Sequence, residues 1–359
     1  MDNKIGDSDI KLWIHEIVDS IGIKEPVQYS HFAGLINNNQ LPKLIETIAS
    51  YMNLPIKAEV EFVSDQYQAG KVNFESKSLT GYDATGHGSE GIVAQVQIPG
   101  FIPSYGTSSL MGFPIKIKVS NNCLNSPQMF IAIMSHELTH ILLHSLGHKS
   151  KENEFFTDLT AMTLGFVDIF NQGRTYSYST TQYGVLSNTT TTHTMTCGYL
   201  SDKQFGYAWD LIKRTLVGFR KSVKRLKAKC SKFEKSYKSY SRLLSDFHKY
   251  KVCLDKNHTV KIKKDDATKV ISIHQANYLD HYTDFAKYTG GMVKQINSDL
   301  KNIVDNTLYS KKNMIDCDEL VIRMSDETRK ETKILKEDFD LLGKYINITN
   351  KIKIGLGIS

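Results

Sequence analysis

Cysteine, proline and tryptophan are scarce in this 359-residue chain, with 5, 7 and 2 copies. The five cysteines (Cys123, Cys197, Cys230, Cys253, Cys317) are scattered and form no CxxC pair. An odd, unpatterned set fits reduced thiols in a cytosol better than a disulfide framework. No apolar run approaches the roughly 20 residues that span a bilayer. The opening residues Met1-Asp2-Asn3-Lys4-Ile5-Gly6-Asp7 hold none of the apolar core of a secretory signal. A cytoplasmic protein without a transmembrane segment is the expectation. No internal repeat is visible either, which argues against a solenoid.

What is present is ordinary for a globular protein: 40% hydrophobic and 23% charged residues. The length exceeds one ordinary core and predicts two or three domains. The net charge of +7 is unevenly spread. Residues 211–260 hold 15 Lys/Arg against three Asp/Glu (Glu234, Asp246, Asp255), a local +12 that leaves −5 for the remainder. One segment therefore carries the basic character.

Along the chain, residues 8 to about 52 read as short helices punctuated by Pro26 and Asn37-Asn38-Asn39. Three strands follow, at 57–63, 92–98 and 113–119. The last alternates apolar and basic residues with Pro114 near its start, which predicts an edge strand. Ser126, Pro127 and Gly147 bound a helix that is apolar on two sides and therefore buried. Ser150 is the expected cap of the next helix, 151 to about 171, with Glu154, Asp158, Ala161 and Gly165 on one face, where the small residues should allow close approach to the motif helix. Residues 174–198 are rich in Thr, Tyr and Ser without periodicity, and read as a long loop, a lid or substrate-loop candidate. Ser201 with Gln204 makes a capping box that opens a long helix. Its seam, Leu216, Phe219, Val223, Leu226, Cys230, Phe233, Tyr237, Tyr240, Leu244 and Phe247, keeps a strict 3-4 alternation. Residues 278–303 carry a partial counterpart, and a small hairpin is expected between them. An antiparallel helical arm results, about 75 Å long if 201–250 is continuously helical. A third helix near 325–352 packs at its base. The domain boundaries expected are 1–55 (helical), 56–207 (catalytic), 208–312 (arm, hairpin tip near 257–274) and 313–359 (C-terminal helix).

The chemistry centres on His136-Glu137-Leu138-Thr139-His140. Two histidines four apart on a helix project from one face and can share a metal ion, and the glutamate between them can reach a water on that metal. Catalytic zinc takes three protein ligands and keeps a fourth position open. His144 cannot supply the third, because it lies about 12 Å along the axis from His136. A histidine at position 146 would suit another arrangement, but Leu146 is there. Glu154 on the following helix is the first choice and Glu152 the second, with Asp158 one turn on to accept a histidine's other N–H. The plain alternative for Glu154 and Asp158 is a solvated helix face, and for His144 and His148 surface residues near a helix C-terminus. His87 reads as a turn residue.

The run His136-Glu137-Leu138-Thr139-His140-Ile141-Leu142-Leu143-His144, followed by Asn153-Glu154 and Asp158, resembles the gluzincin metallopeptidases, and looks most like their compact ImmA/IrrE-type branch. The likeness covers about residues 112–170. It implies Zn²⁺ bound by His136, His140 and Glu154, Glu137 as general base, and Asp158 with Asn153 supporting the ligands. It also implies a protein or peptide substrate laid along the edge strand beside the metal helix, the place that residues 113–119 hold. Donors for the transition-state oxyanion are sought around the long loop, at His193, Tyr199 and Tyr183.

The expected fold is therefore α+β: a small mixed or antiparallel sheet, an HExxH helix, a ligand helix and a C-terminal long-helix arm. The expected function is a zinc-dependent peptidase. The alternative is a regulatory or partner-binding protein with a structural zinc site. For the basic helix 211–260 the readings are a solvated face, a surface for nucleic acid or an acidic protein, an oligomerisation element, and last a membrane surface.

Overall fold

The computed structural model of the protein describes residues 5–63, 94–121, 123–183, 188–255, 278–305 and 308–355. The fold is α+β, and the chain forms two compact units, Met1–Gly218 and Phe219–Ser359.

In the first unit three short helices, α1 (Asp7–Ser20), α2 (Ser30–Asn37) and α3 (Leu41–Tyr51), lead into strand β1 (Ile56–Val63). β1 runs parallel to β3 (Phe113–Ser120), and β2 (Ala94–Val96) pairs antiparallel on the other side of β3. The mixed sheet has the order β1-β3-β2. Ile115, Ile117 and Val119 are fully buried on one face of β3, as its alternation predicts. The register places Glu59 opposite Lys116 and Glu61 opposite Lys118, and these opposite charges favour that register over a slip.

The expectation that residues 113–119 form an edge strand is corrected: β3 is central. Pro114 is tolerated because the described pairing with β2 covers only Lys116 to Val119, so no ladder bond on that side calls on Pro114. Among the described residues, the edge next to the motif helix is β2.

Helix α4 (Pro127–Ser145) carries HExxH and is buried on every side, packed against α3, α5, α6 and β2. Pro127 occupies its first position, and Gly147 (φ 60) ends it in the left-handed region. The next helix begins later than expected. Asn153, not Ser150, is the N-cap of α5 (Glu154–Ala161), its side chain accepting the Phe156 N–H at 3.0 Å. A π turn then kinks at Leu164 and Gly165 (φ 103) before α6 (Val167–Gly173). Gly165 does not serve approach to α4: a Cβ there would meet the Glu25 carbonyl at 2.6 Å. Gly173 does, since a Cβ would lie 2.5 Å from the Gln128 backbone at the start of α4.

Residues 174–198 are corrected from loop to hairpin: β4 (Thr175–Tyr183) pairs antiparallel with β5 (Asn188–Thr196). Threonine is β-branched and favours strands, but with polar residues on both faces no hydrophobic alternation marks them.

Ser201 and Gln204 form the expected capping box at the start of α7 (Asp202–Asp255): the Ser201 N–H reaches Gln204 Oε1 at 2.8 Å. In the second unit α7 packs with α8 (Tyr278–Asp305) and α9 (Lys311–Gly355). Val223, Leu226, Cys230 and Phe233 share a core with Ile296, Ile303, Cys317 and Val321. Tyr240, Leu244 and Phe247 share another with Tyr282, Leu335 and Leu342. Thus α9 runs along the arm rather than packing only at its base. Polar Thr328 and Asp338, both buried, sit on its 3-4 seam and hide the repeat from a hydrophobicity reading. Asp338 is satisfied by the Tyr282 hydroxyl at 2.6 Å. The hairpin expected near 257–274 lies outside the described residues, as does His87. Among the described residues no helix is long and apolar enough to cross a membrane.

Candidate metal centre

The motif helix sets the geometry. His136 and His140 lie one turn apart on α4, with their Nε2 atoms 3.2 Å apart. Glu154 is the first residue of α5, held there by the Asn153 cap. Its Oε2 comes to 3.1 Å from His136 Nε2 and 3.2 Å from His140 Nε2. His136 is fully buried and His140 nearly so, whereas the Glu154 side chain keeps 17% exposure. The cluster is therefore sunk in the first unit with one side toward solvent.

Both histidines are oriented from behind. His136 Nδ1 donates to Asp158 Oδ1 at 2.7 Å, and His140 Nδ1 lies 3.3 Å from the Lys151 carbonyl oxygen. With the Nδ1 atoms as donors, both Nε2 atoms present lone pairs. Two lone pairs and a carboxylate oxygen then converge with too few protons to pair them. A cation relieves that conflict, and these three side chains can hold a metal ion.

The electrostatics run the same way. Burial alone would lower the His136 pKa, but hydrogen bonds to Asp158 and Glu154 outweigh it and lift the pKa to about 10. Burial alone would raise Glu154, but its bonds to His136 and His140 bring it down to about 2. Without a cation the site therefore retains a proton on His136 at neutral pH. Positive charge belongs there in either state.

Glu137 is fully buried, and the Val96 N–H of β2 donates to its Oε2 at 3.2 Å. Gln97 N–H bonds the Lys116 carbonyl of β3. Because amides alternate along a strand, Val96 points away from β3, and its outer edge faces Glu137.

Asp158 is clamped by more than His136. Its Oδ2 accepts the Tyr199 N–H at 2.6 Å, and Gly198 (φ 93) lies so close that a Cβ would approach the same oxygen at 3.1 Å. Arg174 fixes this turn, donating to the carbonyls of Cys197 and Leu200 and, at 3.0 Å, to Asp202. Neither Arg174 nor Gly198 carries a motif. Only an isolated arginine between polar segments, beside a glycine, could have marked them.

Of the remaining candidates, Tyr199 stacks on the His136 ring at 5.6 Å between centroids. Tyr183 and His193 belong to the hairpin strands, where Tyr178 pairs with His193, but their side chains lie outside the described residues. Glu152 is not at the cluster; it is exposed and lies 3.2 Å from His144. His144 and His148 are half-buried rather than on the surface. His148 stacks on Phe156 at 4.7 Å, and burial lowers the pKa of both histidines.

No protein-family model, curated protein or solved structure matches this chain.

Proposed function

We propose that the protein is a zinc-dependent peptidase. The observation that carries this reading is the convergence of two buried imidazoles and one carboxylate beside a buried glutamate that adjoins a strand edge. The donor set suits zinc, since tetrahedral bonds of about 2.0–2.1 Å put ligand atoms roughly 3.3–3.4 Å apart. The three contacts here are 3.1–3.2 Å. Among the described residues three ligands converge rather than four, which leaves a position open, the mark of catalytic over structural zinc. When bound, the ion would lower the pKa of a water toward about 7 and polarise a carbonyl.

The chain's own residues supply the rest. Glu137 takes a proton from the attacking water and passes it to the departing amine. Asp158 keeps His136 in the tautomer whose Nε2 is free, and stabilises positive charge on the ring. The strand addition first expected of residues 113–119 does not pass to β2, because residues 94–96 are buried and the outward Val96 N–H already serves Glu137. The Tyr199 ring fixes the His136 plane.

The test is Glu137→Gln. Metal analysis should find zinc retained, while cleavage of an unstructured peptide mixture falls by about 10²–10⁴. Cleavage at the wild-type rate in this variant would remove Glu137 from the reaction. A zinc-loaded wild type that cleaves nothing would favour the structural-zinc alternative.

A further inference from the structure

We propose that the outward face of α7 between Lys221 and Arg242 binds the phosphate backbone of a nucleic-acid duplex without reading its sequence. The seam residues Val223, Leu226, Cys230, Phe233 and Tyr240 fix the opposite face in the core of the second unit. At helical spacing the outward face is then Lys221, Lys224, Arg225, Lys232, Lys235 and Arg242, all exposed. Among the described residues none of these six makes an ion pair. The stripe is about 32 Å long at 1.5 Å per residue, close to one turn of a duplex at about 34–36 Å.

Two contrasts make this more than a solvated face. Along the same unit α9 alternates its charges and pairs them, Arg329 with Asp326 at 3.1 Å and Lys333 with Glu337 at 3.9 Å. Between 219 and 242, α7 has ten Lys/Arg and one acid, Glu234, so solubility alone did not require this pattern. Like charges three and four apart, such as Lys221 with Lys224 and Arg225, destabilise a helix. That cost is offset when an anion lies across them.

The rest of the face selects the anion. Ala228, Ser231 and Ser239 are exposed between the cations, so a backbone can approach closely and find hydroxyl donors. No aromatic side chain joins the stripe, because Tyr240 is buried and the Tyr237 hydroxyl bonds the Ala286 carbonyl. Single strands, which want stacking platforms, are therefore disfavoured. So are protein partners, which want aromatic anchors, and membranes, which want an apolar face.

The experiment is fluorescence anisotropy of the full chain with labelled DNA and RNA duplexes of about 20 base pairs and mixed sequence, across a salt series. Engaging six phosphates gives a log–log salt slope of about −5, so affinity falls about a thousandfold between 50 and 200 mM salt. Neutralising Lys221→Gln, Lys224→Gln and Arg225→Gln together should flatten the slope by about 2.7. Neutralising Lys330→Gln, Lys333→Gln and Lys336→Gln on α9 should leave it unchanged. Ala228→Glu sets a carboxylate between Lys224 and Lys232; melting temperature should hold or rise while duplex affinity drops at least tenfold. Stronger binding to DNA or to RNA identifies the source of the phosphates, and either supports the proposal. It is overturned if neither duplex binds at 50 mM salt, or if the α9 variant flattens the slope as much as the α7 variant. It is also overturned if poly-glutamate competes as well as duplex, or if phosphatidylserine vesicles bind where duplex does not.

Discussion

Asp158→Asn changes one atom type at the point where the centre is held from behind. Asp158 is buried and faces two donors, His136 Nδ1–H at 2.7 Å and Tyr199 N–H at 2.6 Å. A carboxylate accepts from both; a carboxamide has one oxygen, so its NH₂ must meet an N–H. The variant therefore either loses the Tyr199 bond or lets His136 turn its proton to Nε2, where the metal lone pair is needed. Residues that orient a metal-bound histidine this way contribute about 10–100-fold to metal affinity, equivalent to roughly 1.4–2.7 kcal/mol. We expect the zinc dissociation constant, measured by competition with a chromophoric chelator, to rise by that factor. The metal-free variant should also melt earlier, because a charged hydrogen bond is lost from the interior. Zinc affinity within twofold of wild type would refute the reasoning, since it would mean that the tautomer of His136 is set elsewhere.

Two other outcomes follow from the same geometry. With His136 held protonated up to about 10 in the metal-free protein, zinc must expel that proton, and its apparent affinity should climb at least tenfold per pH unit from 7 toward 10. Calorimetry in buffers of different ionisation enthalpy should count about one proton at pH 7.5 beyond what the metal-bound water releases, whereas an unshifted histidine (about 6.5) would add almost none. Gly173→Ala should destabilise the first unit by about 1–3 kcal/mol by chemical denaturation, because its Cβ has only the Gln128 and Met129 backbone to push against.

Much of the candidate centre was legible because an HExxH helix has a rigid grammar. His136 and His140 share a face by spacing alone, and Pro127 and Gly147 mark where their helix starts and stops. Glu154 was readable as a carboxylate on the following helix, although that helix starts at Glu154 itself rather than at 151. What escaped the sequence lies in contacts between distant segments. Pro114 argued for an edge, yet the described part of β2 pairs only beyond it, so a proline can enter a central strand. The hairpin at 175–196 was invisible because threonine on both faces gives alternation no amplitude. The kink at Gly165 and the Arg174 clamp on the 197–200 turn depend on Glu25, Asp202 and the Asp158 carboxylate, none of which lies near them in a helical or strand period.

The most direct measurement is X-ray absorption at the zinc edge of the metal-loaded full chain. Stoichiometric zinc with only nitrogen and oxygen neighbours at about 2.0–2.1 Å, two of them showing imidazole scattering, is the outcome expected of His136, His140 and Glu154. A sulfur neighbour near 2.3 Å, or no zinc bound, would contradict it.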